Sequence, residues 1–334
     1  CLLCRGGLFS LGKSENHMPG LAAWVDWTYG NPSKFLFGNS VLKSERGVQQ
    51  GDPLGPLLFA LALQPLLREL ADQRCEGGLE LVFSYLDDLC LAGSSQAVST
   101  AVASLRIKAA RIGLTLSTDG QSSLPGDAAM VGQASAQNTR PYKDKCELIL
   151  AAGSSSLVDV SLFPADFKVI WDQNFELLGG PVGDATFCNQ HTQDRVTKAR
   201  KLLQAVGELP DPQVALRLLR HCAGFAKMVF STRVVPPNKH HDAAVSFDAA
   251  VRDCFERFSC LHPEADHWLQ ATLSTESGGL GLRSMASHAG AAFLASRSAC
   301  APLCREIDPQ HTFFYDGLSS PERVAISDYN AKVN

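Results

Sequence analysis

No apolar run in this sequence approaches the ~20 residues that cross a bilayer as a helix, so nothing in it reads as a membrane span. Its first residues, Cys1 to His17, carry neither the charged start nor the apolar core of a secretory signal. A soluble, intracellular chain is expected, unless it is tethered elsewhere. Surplus positive charge is also lacking: 30 Lys and Arg stand against 34 Asp and Glu, a net charge of −4. That balance argues against a surface that binds polyanions everywhere, although it leaves room for a local basic face. A disulfide framework is missing too. The 11 cysteines are an odd number, scattered through apolar settings such as Leu89-Cys90-Leu91 and His221-Cys222-Ala223, as reduced thiols are. Cys1-x-x-Cys4 has no second pair at zinc-ribbon spacing. Cys254, Cys260, His262 and His267 are only loosely clustered and read as structural residues.

What is present suffices for a sizeable core. With 334 residues, 45% hydrophobic and 19% charged, the chain reads as a globular protein of two or three subdomains. Its most informative feature is Tyr85-Leu86-Asp87-Asp88. The run Leu79 to Tyr85 before the carboxylates and Leu89 to Gly93 after them predict strand, tight turn, strand. Two ionised side chains at a hairpin tip repel each other and are costly to desolvate, and a divalent cation is the most economical offset. The dipeptide alone is better served by an ordinary surface turn, since Asp is a favoured turn residue. Upstream, Arg46 to Phe59 form a Gly- and Pro-punctuated loop, Gln50-Gly51-Asp52-Pro53 at its centre, running into an apolar helix through Leu70. Glycine there lets backbone approach a flat ligand, Pro53 and Pro56 fix the start of the helix, and Gln50 can both donate and accept.

The loop followed by the carboxylate hairpin resembles the palm domain of reverse transcriptases. In that family a Gln-Gly-Asp-Pro loop lies over the templating pair, and a Tyr-x-Asp-Asp hairpin carries catalytic metal ligands. The resemblance runs over roughly residues 18 to 300. Pro19-Gly20-Leu21, Trp24-Val25, Tyr29-Gly30 and the hairpin-like Lys34 to Leu42 look like the segment preceding the loop in non-LTR retrotransposon enzymes. Phe175-Glu176-Leu177-Leu178-Gly179 looks like the primer-grip hairpin, with Leu178 and Gly179 at its tip. Leu209 to Gln213, His221 to Phe225 and Gly278 to Arg283 look like the thumb and the region after it. The resemblance implies an α+β polymerase palm, an antiparallel sheet backed by helices in split βαβ order, followed by a helical thumb, with the fingers largely missing.

It further implies Asp87 and Asp88 as catalytic metal ligands for two Mg²⁺ ions, with Mn²⁺ as a substitute. Gln50, Gly51, Asp52, Pro53 and Tyr85 would meet the nucleotide and template. The implied partners are an RNA template, a DNA primer and dNTPs, in the nucleus or cytoplasm. Between Arg195 and Lys239 basic residues predominate and only Glu208 and Asp211 oppose them. Arg195, Lys198, Lys201, Arg217 and Arg220 would there grip the nucleic-acid backbone, or else form a solvated helix face.

Organisation follows from these marks. Residues 1–17 resemble nothing in the family, 18–183 read as the palm, 184–260 as the thumb and 261–334 as a C-terminal region. Helices are expected from about Gly20 to Tyr29, up to about Gln73, and from Ser95 or Gln96 with Val98, Val102, Leu105 and Ala109 on one face. A short strand is expected at Gly113-Leu114-Thr115-Leu116. Residues 118–143, rich in Ser, Gly, Ala, Gln and Asn, read as an inserted mobile loop. Beyond it Lys145 matches either the family lysine that acts as a general acid toward pyrophosphate or a surface lysine. One departure is graver. The family's first catalytic aspartate, on a strand before the Pro-Gly-Leu helix, has no counterpart: upstream of Gly51 the only acids are Glu15, Asp26 and Glu45. The reading frame looks truncated or mis-assigned at its N-terminus, and an inactive polymerase is expected. Two alternatives stand beside it, a non-enzymatic nucleic-acid-binding remnant and a degenerate frame without a selected role.

Overall fold

The structure is a computed structural model that describes residues 19–44, 47–49, 51–114, 146–151, 153, 158–165 and 167–308. It divides into two compact units, Cys1–Val169 and Ile170–Asn334.

In the first unit, α1 (Pro19–Tyr29) leads to the hairpin β1 (Ser33–Phe37) and β2 (Ser40–Ser44). Gly38, at φ 57°, makes the turn between them. Next come α2 (Gly55–Ala71), the hairpin β3 (Leu79–Tyr85) and β4 (Asp88–Gly93), and α3 (Ser95–Arg111). Helical spacing decides how these pack. On α3, Ala101, Val102, Leu105 and Ala109 are buried, close to the face expected from the sequence. They meet α2 in two small clusters, one of Phe59, Ala109 and Leu114, the other of Leu70, Ala101 and Leu105 with Leu79 at the foot of β3. Each buried leucine contributes roughly 1.5–3 kcal/mol, so clusters this small hold the hairpin without a deep core.

Helices therefore back strands here, as an α+β chain requires, but the strands do not merge into one layer. The four sheets among the described residues are two-stranded, and no further strand there joins β3–β4; a single parallel bridge links Arg74 to Leu79 at the foot of β3. Of the expected strand 113–116, Leu114 is buried and lies outside any strand, while Thr115 and Leu116 fall outside the described residues. So do residues 118–143 and Lys145. The chain resumes at β5 (Glu147–Ile149), paired with β6 (Lys168–Ile170).

The second unit opens on the hairpin β7 (Phe175–Leu177) and β8 (Gly180–Val182) and is otherwise helical. Its helices are α4 (Ala185–Gly207), α5 (Pro212–Leu218), α6 (Val229–Val234), α7 (His241–Ser259), α8 (Ala265–Thr272) and α9 (Met285–Ile307). A π-helical segment, Leu219–Ala223, continues α5. Proline marks the breaks: Pro210 precedes α5 and Pro212 opens it, and Pro236 and Pro237 precede α7. One core joins these helices, including Val196, Leu203, Leu219, Met228, Phe247, Val251 and Met285. The sequence grouped the 175–182 hairpin with the first domain, up to residue 183. By contacts it falls in the second unit, because its turn is anchored on α4 and α6.

The Gly278 to Arg283 motif is a packing device. A Cβ at Gly279 would lie 2.3 Å from the Leu273 carbonyl oxygen and 2.5 Å from that of Gln270. Leu280 and Leu282 donate their N–H groups to Ala271, which seats Leu282 in the core. Among the described residues no helix is long and apolar enough to cross a membrane.

One buried group makes this unit sensitive to acid. His240, ahead of α7, is fully buried; its Nδ1 lies 3.4 Å from Thr192 Oγ1 and its Nε2 has no hydrogen-bond partner among the described residues. Burial pushes its pKa from 6.5 down to about 4, helped by the neighbouring His241. The folded state thus holds the neutral ring, while the unfolded chain takes up a proton below about pH 6.5. The His240 contribution is complete above that pH and is lost as pH falls toward 4, by on the order of 2 kcal/mol. Chemical denaturation between pH 7 and 4.5 should show that loss, and His240→Gln should flatten it. An unchanged slope in the variant would contradict the assignment.

Candidate functional site

The carboxylate turn is tight. Tyr85 pairs with Asp88 across the hairpin, which leaves Leu86 and Asp87 as its two loop residues. Leu86 sits at φ 55° and Asp87 is not in the left-handed region, the pattern of a type II′ turn, whose first loop position favours glycine. A branched side chain held there stores backbone strain, of the kind concentrated at functional sites. Ser84 Oγ donates to the Leu86 carbonyl at 3.2 Å and steadies the turn. Tyr85, Leu86, Asp87 and Asp88 are all exposed. Behind them the Cys90 thiol is pushed up by burial and by the Asp88 charge.

The donor set decides what metal the turn can hold. Mg²⁺ keeps several waters and is often bound through one or two carboxylates, so Asp87 and Asp88 can furnish ligands for one ion. A two-ion centre needs a further carboxylate to bridge the ions. Among the described residues no group of three or more His, Cys, Asp or Glu side chains could hold a metal. The described residues therefore do not complete the two-ion site.

The loop before α2 is built from Gly51, Asp52 and Pro53; Gln50 lies outside the described residues. Gly51 adopts φ 92°, a conformation strained for any side chain. Asp52 is occupied within the loop. Its Oδ1 accepts the Leu54 N–H at 2.9 Å and its Oδ2 accepts the Tyr29 hydroxyl from the end of α1. Tyr29 Oη also accepts the Gln49 N–H at 3.2 Å. Burial first, and then the bond to Asp52, push the Tyr29 pKa up to about 12. Asp52 thus shapes the loop; the sequence marked Tyr29 only as part of the segment preceding it and gave no sign of this bond, because the partner lies far along the chain. Leu66 and Leu70 of α2 pack with Val82, Leu89 and Leu91, so loop and hairpin are both attached to this one helix.

In the second unit, Leu178 at φ 50° and Gly179 at φ 79° form a two-residue turn with both positions left-handed, as type I′ requires. Arg195 Nη2 donates to the Gly179 carbonyl at 3.1 Å, and its guanidinium lies 5.1 Å from the Phe230 ring centre. Arg195 is accordingly a brace for this hairpin. Lys198, Lys201 and Arg217 are exposed and have no ion-pair partner among the described residues.

Arg220 belongs to a feature the sequence did not reveal. A cleft of about 1030 Å³ is lined by Arg220, Arg233 and Arg283, by His221 and His288, and by alanines of α9, with no acidic side chain among the described residues that line it. Arg220 lies against Gly281, where a Cβ would come within 2.9 Å of its Nε. His288 packs edge-on to Phe225 at 5.2 Å, and its pKa is lowered by burial and by Arg283. Arg220 and Arg233 lie in the basic stretch between Arg195 and Lys239, but nothing in that run joins them to Arg283.

Comparison with known families gives one match: residues 14–119 match the family model described as Reverse transcriptase (RNA-dependent DNA polymerase). That span holds both the Gly51–Pro53 loop and the Asp87–Asp88 turn. No curated protein matches the chain.

Proposed function

We propose that this chain is the palm and thumb of a reverse transcriptase of non-LTR retrotransposon descent, which binds a primed RNA template but does not itself extend the primer. The observation that carries this reading is the Tyr85 to Asp88 turn, placed with the Gly51–Pro53 loop on one helix inside the matched span. Asp87 and Asp88 would hold a divalent cation, which supplies charge neutralisation at a phosphoryl group when bound. Gln50, Gly51 and Pro53 would face the template and nucleotide, Tyr85 the nucleotide, and Leu178 and Gly179 the primer. In a completed centre of this kind Lys145 would be the proton donor toward pyrophosphate. A second reading, nucleic-acid binding without descent-related chemistry, is favoured only by the acid-free cleft in the second unit.

Arg220, Arg233 and Arg283, with Lys198, Lys201 and Arg217, are proposed to meet backbone phosphates. Binding should then weaken as salt rises, the logarithmic slope falling by about one for each phosphate contact removed. Fluorescence anisotropy with a primed RNA–DNA duplex at several salt concentrations measures it. The triple variant Arg220→Ala, Arg233→Ala, Arg283→Ala should bind at least tenfold more weakly, with a shallower slope. Salt-independent binding, or an unaltered triple variant, would remove these arginines from the interface.

A further inference from the structure

The Gly51 loop has little of its own to hold it. Gly51 has no neighbour within 4 Å of where a Cβ would sit, and around it the loop closes through Asp52 N–H to the Gln49 carbonyl at 3.2 Å. Its remaining restraint comes from α1. The single phenol oxygen of Tyr29 accepts from Gln49, on one side of Gly51, and donates to Asp52, on the other. Asp52 passes the restraint onward, because its second oxygen accepts Leu54 N–H and its carbonyl accepts Gly55 N–H at 3.0 Å. The Gln49 side is tied down again by its amide, which donates to Ser33 Oγ at 2.7 Å. A bond from a neutral hydroxyl to a carboxylate is among the stronger hydrogen bonds, and a ring on a helix end is a rigid mount for it.

We infer that Tyr29 is the positioning residue of the Gly51 loop, its hydroxyl setting where Gln49, Gly51, Asp52 and Pro53 lie over a template overhang. This rests on the proposed reading of that loop as the template-facing one. Tyr29 itself need touch no nucleic acid. It acts through Gln49 and Asp52, so its loss should change how an overhang is bound and leave duplex affinity alone.

The test uses the full chain, Tyr29→Phe, Asp52→Asn and the double variant. Anisotropy compares a blunt RNA–DNA duplex with the same duplex carrying a 5′ RNA overhang; amide exchange is read at Gln49 and Leu54, and stability from the unfolding midpoint. The wild type should prefer the overhang, and Tyr29→Phe should reduce that preference about tenfold, ~1.4 kcal/mol. Blunt-duplex affinity should not change, the midpoint should fall only modestly, and Gln49 exchange should accelerate. The double variant should be no worse than either single one, because both break one bridge. An overhang preference kept within twofold in Tyr29→Phe overturns the inference while the loop's reading stands. A wild type without any overhang preference overturns that reading, and the role of Tyr29 with it.

Discussion

Given a primed RNA template, dNTPs and Mg²⁺, the full chain is expected to incorporate no more nucleotide than its Asp87→Asn variant, while still binding the duplex. The turn supplies two adjacent carboxylates and the chemistry needs a third. Of the acids upstream of Gly51, Glu15 and Glu45 fall outside the described residues, and Asp26 lies on α1. One lost transition-state contact costs about 10²–10³ in rate, roughly 3–4 kcal/mol. A bridging ligand neutralises two ions at once, so its loss should cost more and bring extension below detection. Single-nucleotide incorporation on a gel, with Mg²⁺ and again with Mn²⁺, is the measurement. Incorporation by the wild type that Asp87→Asn abolishes would show a working centre and defeat this expectation. Retained duplex binding is the necessary companion result, since a chain that fails to bind says nothing about its metal ligands.

How far the sequence foretold this follows from how local each signal is. The hairpin at 79–93 was legible because period-two alternation and a two-residue turn are written in adjacent residues. The extent of α2 and the face of α3 were legible for the same reason, and so were the proline breaks at α5 and ahead of α7. Other features arise only when distant residues meet. Nothing near Tyr29 announces Asp52, and Arg195 looked like a phosphate contact because its partners, the Gly179 carbonyl and the Phe230 ring, are remote in sequence. The Gly278 to Arg283 motif looked like a family mark; Gly279 is there because two carbonyl oxygens leave no space for a Cβ. The cleft was legible only as a basic stretch holding Arg220 and Arg233; that Arg283 joins them escaped, because it lies on a remote segment. Whole-chain charge averages over the faces that decide binding.

Asp248→Ala should be the most damaging single change in the second unit. Asp248 lies on α7, and its carboxylate caps the start of α9: Oδ1 accepts Met285 N–H at 2.6 Å, and Oδ2 accepts Ala286 N–H at 3.0 Å and the Ser284 hydroxyl at 2.6 Å. The bonds tie two core helices together where the Met285 side chain is fully buried. Alanine would strand two helix N–H groups beside the core, each costing about 1–3 kcal/mol, so a loss of roughly 3–4 kcal/mol is expected. Burial raises the Asp248 pKa even against these three donors. A carboxyl raised above its unfolded value of 3.8 stabilises most below that value and loses this contribution as pH climbs through its folded pKa. The sign is opposite to that of His240, which gains over the acid range as pH rises. The two can therefore be separated by variants: removing His240 should leave stability falling as pH climbs from 3.8, and removing Asp248 should leave it rising toward 6.5. Denaturant unfolding of the two variants across that range decides it. A midpoint for Asp248→Ala within 1 kcal/mol of wild type at pH 7 would mean that water replaces the cap.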